Sequence, residues 1–209
     1  MGKNRNPFMS DGVVNLSNFK GLKIVYILKE VNDKNRKKDG DLRDYLAEGG
    51  RRQTWNNIAL WTYGLKNLKI NYYWKDLEVK LNEPDFRKDQ LQQICAFNIK
   101  KTPGHNKSNS NVIEKYGKED REFIRKQFDI YSDCNLFICC GTPIAPIMRK
   151  YIVEERFDEW DITKKGIRYK TLGENKHLIW YSHPEARVDN NILYYGLIDS
   201  VREILKIIH

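Results

Sequence analysis

The sequence predicts an α/β fold, a three-layer α/β/α sandwich around a central, mainly parallel sheet of four strands. Three observations carry this prediction. Four short runs, Lys23–Leu28, Ile94–Ile99, Asn135–Cys140 and His177–Tyr181, are almost continuously apolar, as befits strands buried on both faces. Stretches with helical spacing separate them, so right-handed crossovers would set helices on either side. The chain has 209 residues, 40% of them hydrophobic, which is enough for one core without disulfide or metal staples.

Taken in order, residues 1–20 are polar and irregular and read as a flexible arm ahead of a single domain over 21–209. The first strand covers about 22–29, rich in β-branched and aromatic side chains. A polar loop over 32–40 leads to a short helix, Asp41 to Ala47, stopped by Gly49-Gly50. A longer helix runs from Thr54, with Ile58, Trp61 and Leu65 on one face. Residues 74–92 hold further helical turns, with Pro84 just inside one of them. After the second strand, the Ser- and Asn-rich tract 104–111 reads as an exposed loop. Phe123, Ile124, Phe128 and Tyr131 then mark a helix over 118–131. Gly141-Thr142-Pro143 closes the third strand, and a helix to about 152 follows. The charged and aromatic stretch 154–175 reads as a hairpin or excursion. A last helix over about 189–208 aligns Leu193, Leu197, Val201 and Ile204 in one stripe.

Charge narrows the partners. Lys and Arg outnumber Asp and Glu by 37 to 28, a net charge of +9, which favours polyanions and above all nucleic acid. The run Lys34-Asn35-Arg36-Lys37-Lys38 directly follows the first strand end. No apolar run approaches the roughly 20 residues of a membrane span, and the opening Met1–Asn6 lacks the apolar stretch of a secretory signal. The four cysteines form no C-x-x-C pair, so the expectation is reduced thiols, no metal, and a cytoplasmic, monomeric protein. Phosphate-loop, dinucleotide-binding, nucleophile-elbow and zinc-protease signatures are all missing from the sequence.

In an open α/β sheet, ligands bind beyond the carboxyl ends of the strands. Those ends carry Glu30 with Asn32, Asn98 with Lys100 and Lys101, Gly141, and His183. A carboxylate orients water or stabilises a developing cation, and an amide presents a paired donor and acceptor to the polar edge of a base. A neutral imidazole donates to an oxygen that gains negative charge. Together they suit cleavage of an N-glycosidic bond. Each has an ordinary structural explanation when taken alone: Glu30 as a cap or ion-pair partner, Asn98 as a turn residue, His183 as a loop residue before Pro184. The joint placement at four successive strand ends makes the case. Arg51-Arg52-Gln53-Thr54-Trp55-Asn56-Asn57 adds phosphate-compatible cations, a possible helix N-cap and an aromatic, Trp55, that either covers a base or belongs to the core.

These residues, in this order, resemble the uracil-DNA glycosylase superfamily over roughly residues 22–205. Glu30 stands where that family has a water-activating Asp or Asn. Asn98-Ile99-Lys100-Lys101-Thr102-Pro103 is similar to the segment whose Asn reads the flipped base. His183-Pro184 resembles the start of the second catalytic motif, whose wedge residue falls at Arg187 here. The resemblance implies a glycosylase without a cofactor, acting on a flipped base in DNA. Glu30 and His183 would be catalytic, and Asn98, Asn32 and Trp55 would bind the base. Lys100, Lys101, Arg187 and Arg51 would hold the strand. Val31 and Asn32 replace the Pro and Tyr of the best-known branch, and Glu185 replaces a small hydroxyl residue that contacts phosphate. Two alternatives stand beside this reading: a non-catalytic binding module for nucleic acid or nucleotide, and a nucleoside-level N-glycosidase.

Overall fold

The computed structural model describes residues 6–33, 35–104, 108–153 and 157–207. Its centre is a parallel sheet of four strands: β3 (Ile24–Leu28), β5 (Cys95–Asn98), β6 (Leu136–Cys140) and β9 (Lys176–Tyr181). They lie side by side in the order β5-β3-β6-β9, with Leu28 level with Asn98 and Cys140 level with Tyr181. Alternation along each strand divides the side chains between two cores. Ile24, Tyr26, Leu28, Ala96, Ile138 and Ile179 face one layer. That layer contains α1 (Leu42–Ala47), α2 (Arg52–Lys66), α3 (Trp74–Lys80), α4 (Phe86–Leu91) and α8 (Asn190–Ile204). Val25, Ile27, Cys95, Phe97, Phe137, Cys139 and Leu178 face the other. Opposite them stand α5 (Ser110–Glu119), α6 (Arg121–Ile130), α7 (Ile144–Ile147) and a π-helical turn over Met148–Ile152. Both faces of the sheet are therefore covered, which is why the strands tolerate no polar alternation.

The connections fix where a ligand site falls. From β3 the chain crosses on the α2 face to β5, then returns on the α5 face to β6 on the other side of β3. The direction of winding reverses between β3 and β6, and the carboxyl ends of those two strands flank the crevice where doubly wound sheets bind ligands.

The expected sheet of four strands is extended to seven. At one edge β2 (Gly12–Val13) pairs antiparallel with β5; at the other, β8 (Arg168–Gly173) pairs antiparallel with β9, and β7 (Asp161–Ile162) with β8. Of the two expectations for 154–175, a hairpin or an excursion, the antiparallel pair β7–β8 matches the first and belongs to the sheet. The expectation of a loose arm over residues 1–20 also needs correction. Beside β2, the strand β1 (Met9–Ser10) pairs with β4 (Gly40–Asp41). Asp11, whose side chain is only 2% exposed, lies between β1 and β2. Its carboxylate accepts from the Asn98 backbone N–H at 2.8 Å, from Lys101 Nζ at 2.7 and 2.8 Å and from Gln127 Nε2 at 2.7 Å. Pro84 precedes α4 instead of lying within a helix. The helix expected over 118–131 is two helices, beginning at Ser110 under the Asn109 cap.

Candidate active site at the carboxyl edge of the sheet

Beyond β3 the chain continues beside the residues that follow β5. The N–H groups of Ile99 and Lys100 donate to the carbonyls of Leu28 and Lys29, and Gly104 N–H donates to Val31. Glu30 and Lys100 are thereby brought next to each other, and their side chains form an ion pair almost sealed from solvent, 6% and 9% exposed. Lys100 also donates to the Thr102 and Pro103 carbonyls at 3.0 and 3.1 Å. Three acceptors satisfy its three hydrogens. The Glu30 carboxylate lies over Gly104 so closely that a side chain there would collide with it. The pair borders a cavity of about 350 Å³ lined also by Arg36, Asn109 and Tyr116.

Lys100 and Lys101 are therefore not the phosphate-tracking cations the sequence suggested. Both are buried, 7% and 5% exposed, and each faces a carboxylate 70 or 90 residues distant in sequence. Burial pulls the Lys101 ammonium below its ordinary pKa against the opposing pull of Asp11. Trp55 is likewise a core residue, 5% exposed and packed within the α2 layer, so the ordinary reading of that aromatic holds. Asn32 is exposed and bridges to Gly104.

Asn98 is 2% exposed. Alternation puts its side chain on the Ala96 face, the one covered by α2. Its Nδ2 is one of two buried side-chain donors among the described residues without an acceptor, the other being Trp61 Nε1. Leaving such a donor unpaired costs about 1–3 kcal/mol, a cost that is removed when a ligand supplies an acceptor.

His183 follows β9 and abuts the end of β6. Gly141 N–H donates to the Tyr181 carbonyl at 2.8 Å, and Gly141 has a φ of +82°. A Cβ at Gly141 would stand 3.0 Å from that of His183, so glycine serves both the left-handed turn and the close approach. The imidazole Nδ1 accepts from the Glu185 backbone N–H at 3.1 Å. Burial holds its pKa below the ordinary histidine value, helped by the nearby Lys29 and opposed by Glu185. A neutral ring that accepts at Nδ1 carries its proton on Nε2. His183 is thus built as a neutral donor.

The loop carrying His183 is fastened to the start of α2. Glu185 accepts from Arg51 at 2.6 Å and from the Thr54 hydroxyl. Burial acts to raise the Glu185 pKa, but Thr54 and Arg51 outweigh it and hold the carboxyl below the usual range. Arg51, expected to hold a nucleic-acid strand, is engaged with Glu185 instead. Arg187 is exposed on the same loop. Asn57, within the Arg51–Asn57 segment but assigned no role from sequence, donates to the Pro184 carbonyl at 2.7 Å and to Asn190 Oδ1 at 2.8 Å. Its signal was a polar residue within the buried stripe of an amphipathic helix.

Glu30, Asn98 and His183 therefore stand at the carboxyl edge of the sheet, at the ends of β3, β5 and β9. The described residues lining the Glu30 cavity include neither Asn98 nor His183. Lys34 and the loop His105–Lys107, both singled out in the sequence, lie outside the described residues. Among the described residues, no group of three or more His, Cys, Asp or Glu is arranged to hold a metal ion, and no helix is long and apolar enough to cross a membrane. Cys95, Cys134, Cys139 and Cys140 are buried free thiols. Compared with protein-family models and with characterised proteins, the sequence matches none.

Proposed function

We propose that this protein is a base-excising N-glycosidic hydrolase of the uracil-DNA glycosylase type, acting at the carboxyl edge of its sheet on a nucleotide flipped from DNA. The observation that carries the reading is the buried Asn98 amide, whose Nδ2 has no acceptor, on the same edge as a neutral histidine donor. A base carbonyl satisfies the Asn98 donor, and its neighbouring edge meets the amide oxygen. In the reaction, the bond between the sugar C1′ and the base nitrogen breaks and its electron pair departs with the base. His183 Nε2–H donates to the base oxygen where that charge accumulates. Water adds to C1′ and its proton passes to solvent, from which the departed base anion takes one up, with Glu30 orienting the water and its negative charge stabilising the cationic sugar. Glu30 and His183 lie beyond strands two spacings apart, roughly 10 Å, a distance that the sugar and base of one nucleotide bridge.

A second reading, a binding module without catalysis, draws support from the Glu30–Lys100 pair, since a carboxylate already saturated by an ammonium is a poorer partner for water. One experiment separates them. Single- and double-stranded oligonucleotides carrying uracil and assorted modified bases are incubated with the protein and assayed for abasic sites. Base release that is abolished in Glu30→Gln, with binding kept within a few-fold, supports the hydrolase. Binding without release supports the module, and release from free nucleosides alone moves the substrate to the nucleoside level.

A further inference from the structure

We propose that Asn57 is a positioning residue for His183, fixing which imidazole nitrogen carries the proton. The inference rests on the reading of His183 as the donor to the departing base. Its geometry lies in one peptide unit. The Pro184 carbonyl and the Glu185 N–H belong to the same planar group and point in opposite directions. Asn57 holds the carbonyl end at 2.7 Å, and the N–H end holds His183 Nδ1 at 3.1 Å. Gripping the oxygen thus aims the hydrogen. The second Asn57 hydrogen goes to Asn190 Oδ1 at 2.8 Å, so both of its donors are used, and Asn57 itself is buried within α2. The loop also turns back on itself, with Ala186 N–H donating to the His183 carbonyl at 2.9 Å.

With Nδ1 committed as an acceptor, a proton can reside only on Nε2, and a second proton cannot enter without breaking the Glu185 contact. The charged groups around the ring act in opposite senses: Lys29 from the end of β3 disfavours protonation, and Glu185 favours it. Glu185 is itself tied to Arg51 from α2. Loss of the Asn57 grip frees the peptide to rotate and removes the device that selects the tautomer.

The test is long-range ¹H–¹⁵N NMR of the imidazoles, with His183 assigned through His183→Gln. The native protein at neutral pH should show the Nε2–H form. Asn57→Ala should show mixed tautomers and a protonation midpoint moved up towards the ordinary histidine value. Asn190→Ala, which leaves the Pro184 contact intact, should keep the native form. If Asn57→Ala does not fold, Asn57→Gln displaces the same donors by one methylene and should show the same mixing. A native ring protonated on Nδ1, or a tautomer unchanged in the folded Asn57 variant, overturns the proposal. The spectra require no substrate, so a protein that selects the tautomer yet releases no base refutes the hydrolase reading alone. Where base release is measurable, kcat in Asn57→Ala should fall about tenfold, less than on loss of the donor itself, with KM within a few-fold.

Discussion

Lys100→Met isolates the ion pair at the candidate site. Lys100 and Glu30 expose 9% and 6% of their side chains, so the substitution leaves a largely buried carboxylate without the ammonium that pairs with it. Breaking a buried pair in this way costs about 3–5 kcal/mol. The Thr102 and Pro103 carbonyls lose a donor at the same time, so the upper half of that range is expected. With a urea m-value of roughly 2–3 kcal/mol per molar, the midpoint should fall by about 1.3–2.5 M, followed through tryptophan fluorescence. The double variant Lys100→Met/Glu30→Leu should recover most of the loss, because no unpaired charge remains. Raising salt from about 0.1 to about 0.5 M should leave the difference intact, as screening acts weakly on buried charges. A surface lysine bound for phosphate behaves otherwise. Its removal changes stability within about 0.5 kcal/mol and lowers the salt slope of DNA binding by about one. A small loss in the single variant, additive with that of Glu30→Leu, would refute the buried-pair argument.

Two further outcomes follow from the same contacts. Asp11→Asn should lower the melting temperature by several degrees because it removes the carboxylate that pairs directly with the buried Lys101; an unchanged melt would restore the loose-arm picture. His183 and His177 both have pKa values lowered by burial, so the unfolded chain takes up protons first as pH falls. Their stabilisation is complete above the unfolded value near about 6.5 and is lost as pH drops through the folded values. The urea midpoint should therefore decline between pH 7.5 and 5.5, about the ordinary histidine range, and less steeply in His183→Gln. An identical decline in that variant would remove His183 from the linkage.

The four central strands were legible because a strand buried on both faces must be apolar at every position, and Ile24–Leu28 and Leu136–Cys140 are. The edge strands were not. Gly12–Val13 is two residues long, too short for any periodicity, and Arg168–Gly173 has no buried position, a pattern that a loop displays equally well. The strand-end residues were legible by position, since topology alone puts Glu30, Asn98 and His183 on one edge. Their partners were hidden. Nothing near Lys101 announces Asp11, and nothing near Pro184 announces Asn57, because each pairing closes across 90 or more residues. A lysine after a strand reads as solvent-facing until its distant acid is known.

The sheet ends on both sides in strands of two residues, Gly12–Val13 and Asp161–Ile162. A long bare edge offers a row of unpaired amides and carbonyls on which another chain can add a strand. Here the outermost strand offers only two positions at either margin, and the parallel centre, slow to form and prone to mispairing, lies at least one strand in from each edge; the part of β8 beyond β7, Lys170–Gly173, is the longer stretch of margin. Lengthening either margin by a few β-branched residues should convert a self-limiting sheet into one that recruits its neighbours.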